Sequence, residues 1–372
     1  MESESSPARG YAPGMADSWL LYGANGYTGE LIARRAVAVG ERPVLAGRRT
    51  EAVGHLAAEL GLDARVFALD DPAAVGRGLD GMKAVLHCAG PFSRTAAPMA
   101  DGCLRARIHY LDITGEIEVF ESMAARDVAA RAAAVTLLPG VGFDVVPSDC
   151  LAAHLKRRLP TATHLALGFQ GSAALSRGTM TTMVENLHRG GAVRRDGRIV
   201  LVPPAWKTRV IDFGRGPVKA VTIPWGDVAT AYHTTGIPNI EVYMAAPPSM
   251  RWMMRLARPL ARLLRTKTVQ ALLKSRIRSG PAGPSAEHRA RARSYLWGEA
   301  RNASVAVVSR LETLEGYELT SRTALLAVRR VMAGGVALGF QTPAGAFGPD
   351  FILEIEGTTR QDEAPRAIRP HV

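Results

Sequence analysis

Short apolar runs separated by helix-length amphipathic stretches dominate the first 140 or so residues of the chain. Trp19-Leu20-Leu21-Tyr22 reads as a buried strand, and residues 30–39 read as a helix that Gly40 ends. Further strands follow at 43–46, 65–69, 84–88, 110–112 and 135–138, with helical segments between them. Strands alternating with helices predict a doubly wound parallel sheet of Rossmann type over residues 18–148. Beyond Asp149 the strands lengthen and the helices loosen: residues 164–169, 209–213, 218–223, 240–244 and 304–311 predict a mixed sheet, and 317–331 a late helix. The predicted fold class is therefore α/β, a Rossmann domain followed by an α+β substrate domain over 149–357. The last segment of that range is a candidate to return to the first domain. Residues 1–17 and 358–372 read as disordered tails.

The first strand runs into Gly23-Ala24-Asn25-Gly26-Tyr27-Thr28-Gly29 and then into a helix. A strand-to-helix glycine turn is the setting of a dinucleotide fingerprint: one glycine for the tight turn, one for close approach of a pyrophosphate, one for helix–strand packing. The helix start adds about half a positive charge. The spacing here is G-x-x-G-x-x-G, a relative of the usual G-x-G-x-x-G, and alone it also fits a structural turn. The next strand weighs more. About 25 residues beyond Gly23, where an NAD-specific site carries an acid for the ribose 2′-hydroxyl, stand Gly47-Arg48-Arg49. Arg48 suits a 2′-phosphate, so the expected cofactor is NADP(H). Asp70, after the third strand, is placed near the adenine, and Ala89, Gly90 and Pro91, after the fourth, near the nicotinamide ribose.

Composition narrows the class without naming the chemistry. Apolar and charged fractions of 47% and 22% fit a globular chain with a sizeable core. No stretch approaches the roughly 20 apolar residues of a membrane span, and no export signal is seen, so the cytoplasm is the default expectation. Cys88, Cys103 and Cys150 are odd in number and far apart, which indicates neither a disulfide framework nor a metal site. The net charge of +12 suggests an anionic partner. Most of that excess lies in residues 251–278, which hold nine Lys or Arg and no acid. At 100° per residue Arg251, Arg255, Arg258, Arg262 and Arg265 fall within about 80° of one another, with Trp252, Leu256, Leu260 and Leu263 opposite. Such a helix either lies on an anionic membrane surface or packs its apolar face on its own domain. No nucleic-acid motif accompanies the charge.

The motifs "GANGYTG", "CAGPF", "HYLDITGE" and "GVGFDVVPSD", in this order, resemble the saccharopine dehydrogenase-like oxidoreductases, a group that includes the bacterial trans-acting enoyl reductases of lipid and glycolipid biosynthesis. The likeness continues through "SRGTMTTMVENL", "IPWGDVATAYHTTGIPNIEVY", "GYELT" and "GFQTPAGAF". The resemblance implies an NADP-dependent reductase with a substrate domain inserted after the sixth strand. It implies a lipid- or polyketide-like acyl substrate, carrier-bound or free. The substrate clamp of true saccharopine-forming enzymes has no match here, which leaves imine or amino-acid reduction as the alternative. A cofactor-binding protein of membrane or lipid-droplet surfaces that has lost catalysis is a third reading. The sequence does not choose between monomer and homodimer.

Reduction of a C=C or C=N bond needs a proton donor beside the nicotinamide. Tyr110, Asp112 and Glu116 cluster after the fifth strand and are the nominated catalytic residues, with Asp144 and Asp149 following the sixth. Carboxylates that merely cap helices explain the same letters. Ser176 is a candidate helix cap and Arg177 a candidate for an anionic substrate group. Gly142 and Pro147 are expected at the hinge, and His188 and His233 as packing residues.

Overall fold

The structure, a computed structural model, describes residues 18–171, 175–186, 190–249, 251 and 266–368. In the first half, strands β1 (Trp19–Tyr22), β2 (Val44–Gly47), β3 (Ala64–Val66), β4 (Ala84–His87), β5 (His109–Asp112) and β6 (Thr136–Leu138) alternate with helices α1 (Tyr27–Ala38), α2 (Thr50–Leu60), α3 (Pro72–Leu79), α4 (Phe92–Ala106), α5 (Ile117–Ala124) and α6 (Asp127–Ala132). The strands form one all-parallel sheet in the order β6-β5-β4-β1-β2-β3, and a late strand, Gly339–Phe340, extends it beside β6. The order reverses at β1, which puts the loops after β1 and β4 on the two sides of one crevice.

Why four-residue apolar runs suffice here follows from the packing. Leu21, Leu45, Leu86, Leu111 and Leu138 point into one core, whereas Leu20, Val44, Val85, Tyr110 and Leu137 point into the other. Both faces are covered by helices, so neither face needs polar alternation. The helix Gly316–Ala333, far along the chain, packs beside α1 on the first face. There Arg35 bonds Ser321 Oγ at 2.9 Å and pairs with Glu318.

Helix α7 (Val146–Arg158) carries the chain into the second half, where β7 (His164–Gln170), the hairpin β8 (Gly191–Arg195) and β9 (Arg198–Val202), β10 (Thr208–Asp212), β11 (Pro217–Thr222), β12 (Asn239–Ala245), β13 (Arg293–Arg301) and β14 (Val305–Leu314) build a mixed sheet. Only β7 and β12 run parallel within it; the other pairs are antiparallel. Helices α8 (Arg177–Asn186) and α9 (Asp227–Thr235) and the helix Lys267–Ser279 flank this half.

One expectation changes and another stays largely outside the described residues. Residues 358–372 are not a loose tail throughout: Thr359–Asp362 and Arg366–Ala367 pair with β14. That segment has no apolar alternation, and polar anchoring holds it instead, with Asp362 on His154 Nε2 at 2.9 Å and on Ser309 Oγ at 2.6 Å. Of the basic stretch 251–278, residues 252–265 lie outside the described residues, as do residues 1–17 and His188; the helix Lys267–Ser279 contains its end. Among the described residues no helix is long and apolar enough to cross a membrane.

Candidate active site

The glycine loop owes its shape to three different constraints. Gly23 has φ +84°, and a Cβ there would lie 2.7 Å from the Ala89 amide nitrogen, so the loops after β1 and β4 meet at this point. A Cβ on Gly29 would lie 2.3 Å from the Gly23 carbonyl oxygen, which is the close packing of α1 on β1. Gly26 differs: an added Cβ would meet only the Gly23 oxygen, at 3.3 Å. Protein packing therefore dictates Gly23 and Gly29 but barely constrains Gly26. The start of α1 behind Gly26 has no side-chain cap, which leaves its amide dipoles for an incoming anion. A phosphate fits this cradle in shape and in charge.

At the end of β2, Arg48 and Arg49 are both exposed. Arg49 is tied back to the loop: with the Asn25 amide oriented to suit its neighbours, Asn25 Oδ1 accepts from Arg49 Nε at 3.0 Å. Asp70 is exposed after β3, and the adjacent Asp71 caps α3 by accepting from the Ala73 amide at 2.8 Å. After β4, Thr95 Oγ1 donates to the Ala89 carbonyl at 2.7 Å, which fixes the Ala89-Gly90-Pro91 turn.

The nominated catalytic trio is otherwise engaged. Tyr110 is fully buried and donates to Asp112 Oδ2 at 2.6 Å; burial is the main cause that raises its hydroxyl well above the ordinary range. Asp112 also accepts from the amides of Thr114 and Gly140, each at 2.9 Å, so it joins the loops after β5 and β6. Burial pushes it up to about 6 against those bonds. Glu116 accepts from the amides of Phe92 and Ser93 at 2.8 and 3.0 Å and so caps α4. The Arg177 guanidinium lies on the Gly280 carbonyl, with Nε at 2.9 Å, rather than waiting in a cleft. Ser176 does cap α8: its Oγ accepts from the Thr179 amide at 3.2 Å. Gly142 packs against Thr320, and His233 bonds Glu121 at 3.3 Å. Burial pushes the Cys88 thiol up, so it is not an active nucleophile.

Two carboxyls raised by burial lack hydrogen-bond partners among the described residues: Asp227, which is wholly buried, and Asp144, which is not. Asp144, in the loop after β6, has no hydrogen bond to its side chain among the described residues, and burial alone pushes it up to about 7. Yet the residue keeps part of its surface open. A group so strongly desolvated and still reachable lies in a recess. Trp225 of the second half frames that recess by donating Nε1–H to the Asp144 carbonyl at 2.6 Å. Its ring packs tilted against Phe169, with centroids 4.7 Å apart, and Phe169 meets Phe143 edge-on at 6.3 Å. Tyr317 lies within electrostatic reach of Asp144, and its hydroxyl bonds the Ser176 amide at 2.7 Å and Thr179 Oγ1 at 2.9 Å. Tyr27 of the glycine loop meets Tyr317 edge-on at 5.1 Å. The glycine loop, the recess and helix α8 are thus contiguous.

Residues 19–138 match the family model described as the saccharopine dehydrogenase NADP binding domain. The first domain is an NADP-binding domain of this type. Its cofactor is NADP(H), in agreement with the sign of charge at Arg48. The trans-acting enoyl reductase of Mycobacterium leprae is 32% identical over 149 residues, which is 38% of this chain and 35% of that protein. The protein of the same name from Mycobacterium tuberculosis H37Rv is 31% identical over 153 residues, 37% of this chain and 35% of that one. The chain thus matches about a third of the length of these curated relatives. Apo saccharopine dehydrogenase (L-Glu forming) from Saccharomyces cerevisiae superposes with a TM-score of 0.65 over 93% of this chain and 100% of that one, at 12% identity. That likeness shows the two-part fold alone.

Proposed function

We propose that the protein is an NADPH-dependent reductase of an activated C=C bond in a lipid- or polyketide-like acyl substrate, carrier-bound or free. The observation that carries this reading is Asp144, a carboxyl raised to about 7 beside the aromatic cluster of Phe143, Phe169 and Trp225 and within electrostatic reach of Tyr317. When bound, NADPH supplies the hydride that adds to the β-carbon. Asp144, neutral below about pH 7, holds the proton for the α-carbon. The aromatic cluster favours an apolar chain beside the carboxyl. The mycobacterial relatives named trans-acting enoyl reductase point the same way.

A small dicarboxylic amino acid would need converging basic groups beside Asp144. The arginine nominated for that task, Arg177, is bonded to Gly280. The enoyl reading therefore ranks above imine reduction. NADPH oxidation is compared with enoyl thioesters and with 2-oxoglutarate plus lysine as substrates. Turnover only with the second mixture overturns the ranking, and no turnover in either favours a non-catalytic cofactor-binding protein.

A further inference from the structure

The second half of the chain reaches back onto the glycine loop. Gly283 lies flat against the Tyr27 ring, where a Cβ would come within 2.6 Å of it. The Tyr27 hydroxyl donates to the Pro284 carbonyl at 2.5 Å. Arg289 then closes the group: its Nη1 donates to the Tyr27 hydroxyl at 2.7 Å and to the Pro284 carbonyl at 2.9 Å. Tyr27 is the first residue of α1, so this guanidinium is tied through the Tyr27 side chain to the helix that follows the glycine loop.

The Arg289 contacts are incomplete. Its Nε is buried and has no hydrogen-bond partner among the described residues. The nearby Glu315 carboxylate is turned to its own helix, where it accepts from the amides of Tyr317 and Glu318 at 2.8 and 3.1 Å. A buried guanidinium N–H without an acceptor is costly, and a cation linked through Tyr27 to an uncapped helix start suits an anionic acceptor. We infer that Arg289 is a phosphate ligand for NADP(H), supplied by the second half of the chain to the glycine loop of the first. The inference rests on the NADP-binding domain and is independent of which bond is reduced. The same segment that carries Arg289 packs on Tyr27, and Tyr27 packs on Tyr317.

Arg289→Met, Arg289→Lys and Tyr27→Phe are titrated with NADPH and NADH by nicotinamide fluorescence, with melting curves alongside. Loss of one charge-assisted bond to the pyrophosphate weakens both cofactors about tenfold or more and leaves their ratio unchanged. Arg289→Lys recovers part of the affinity, and Tyr27→Phe, which removes only the hydroxyl, has a much smaller effect. If Tyr27→Phe weakens binding as much as Arg289→Met, Arg289 is only a latch and the inference falls. Unchanged affinity in Arg289→Met overturns it as well. Should Arg289→Met fail to fold, Arg289→Gln keeps a neutral donor toward Tyr27 and is read by the same criteria. No arm depends on turnover, so failure of the enoyl reaction is seen separately.

Discussion

Replacing Asp144 with asparagine separates a burial effect from a catalytic one. The carboxyl is held at about 7 against an ordinary 3.8, with desolvation as the cause. Below the lower value it is neutral in both folded and unfolded chains and costs nothing. Between the two, the unfolded chain releases its proton while the folded one keeps it, so stability falls by about 1.4 kcal/mol for each pH unit. Above about 7 the loss is complete, at about 4 kcal/mol. This is an upper bound, because part of the residue remains open to solvent. Asparagine has the same shape and does not titrate, so the variant gains on the wild type as pH rises, by at most about 3 kcal/mol between pH 5 and 8.

Denaturant unfolding of both proteins at pH 5, 6, 7 and 8 measures that difference. Asp112 and Asp149, each at about 6, titrate in both proteins and cancel on subtraction, whereas the buried Asp227, raised in part by the Asp144 charge, responds with it, so the difference reports position 144 together with its effect on Asp227. A difference that does not change with pH refutes the desolvation argument. Catalysis gives the second reading. The proton must be present, so wild-type kcat/KM falls as pH rises above about 7. Asp144→Asn lowers kcat by about 10²- to 10⁴-fold and removes that limb of the profile. A variant that keeps wild-type turnover and the same limb removes Asp144 from the mechanism.

The glycine loop supplies a paired test: Gly26→Val abolishes NADPH binding with a near-native melting curve, whereas Gly29→Val clashes with the Gly23 carbonyl and lowers stability by about 1–3 kcal/mol or more. Retained NADPH affinity in Gly26→Val would make the loop a structural turn. Arg48→Asp loses about 1.5–3 kcal/mol of NADPH affinity and little NADH affinity, read by the same fluorescence titration. Equal wild-type affinity for the two cofactors ends that argument.

The first half was legible because its signals are local. Four-residue apolar strands, glycine at the strand-to-helix turn and a basic residue after β2 each follow from one physical demand. The second half hides its elements for identifiable reasons. Helix α7 buries nine of its thirteen residues, including Ser148, Asp149 and His154, so it shows no apolar stripe to read. Strand β13 is buried along most of its length on both sides and lacks alternation for the same cause. The β8–β9 hairpin did carry a signal, the Asp196-Gly197 pair, both with positive φ, between two strand-like runs.

The candidate acid was illegible for a deeper reason. Asp112, Asp144 and Asp149 are three identical letters, at the end of β5, in the turn after β6 and in the first turn of α7. Only their acceptor bonds tell them apart. Asp112 is held by Tyr110, Thr114 and Gly140, and Asp149 by the Thr234 hydroxyl and the Ala344 amide, the last 195 positions away in the chain. A carboxylate so bound is a structural tie, because moving its proton disturbs the loops it joins. Asp144 has no such bond among the described residues, and Trp225, brought in from the other half of the fold, donates to its backbone carbonyl. A carboxyl becomes a usable acid when it is desolvated without being committed, and that condition exists only once residues 81 positions apart are in contact.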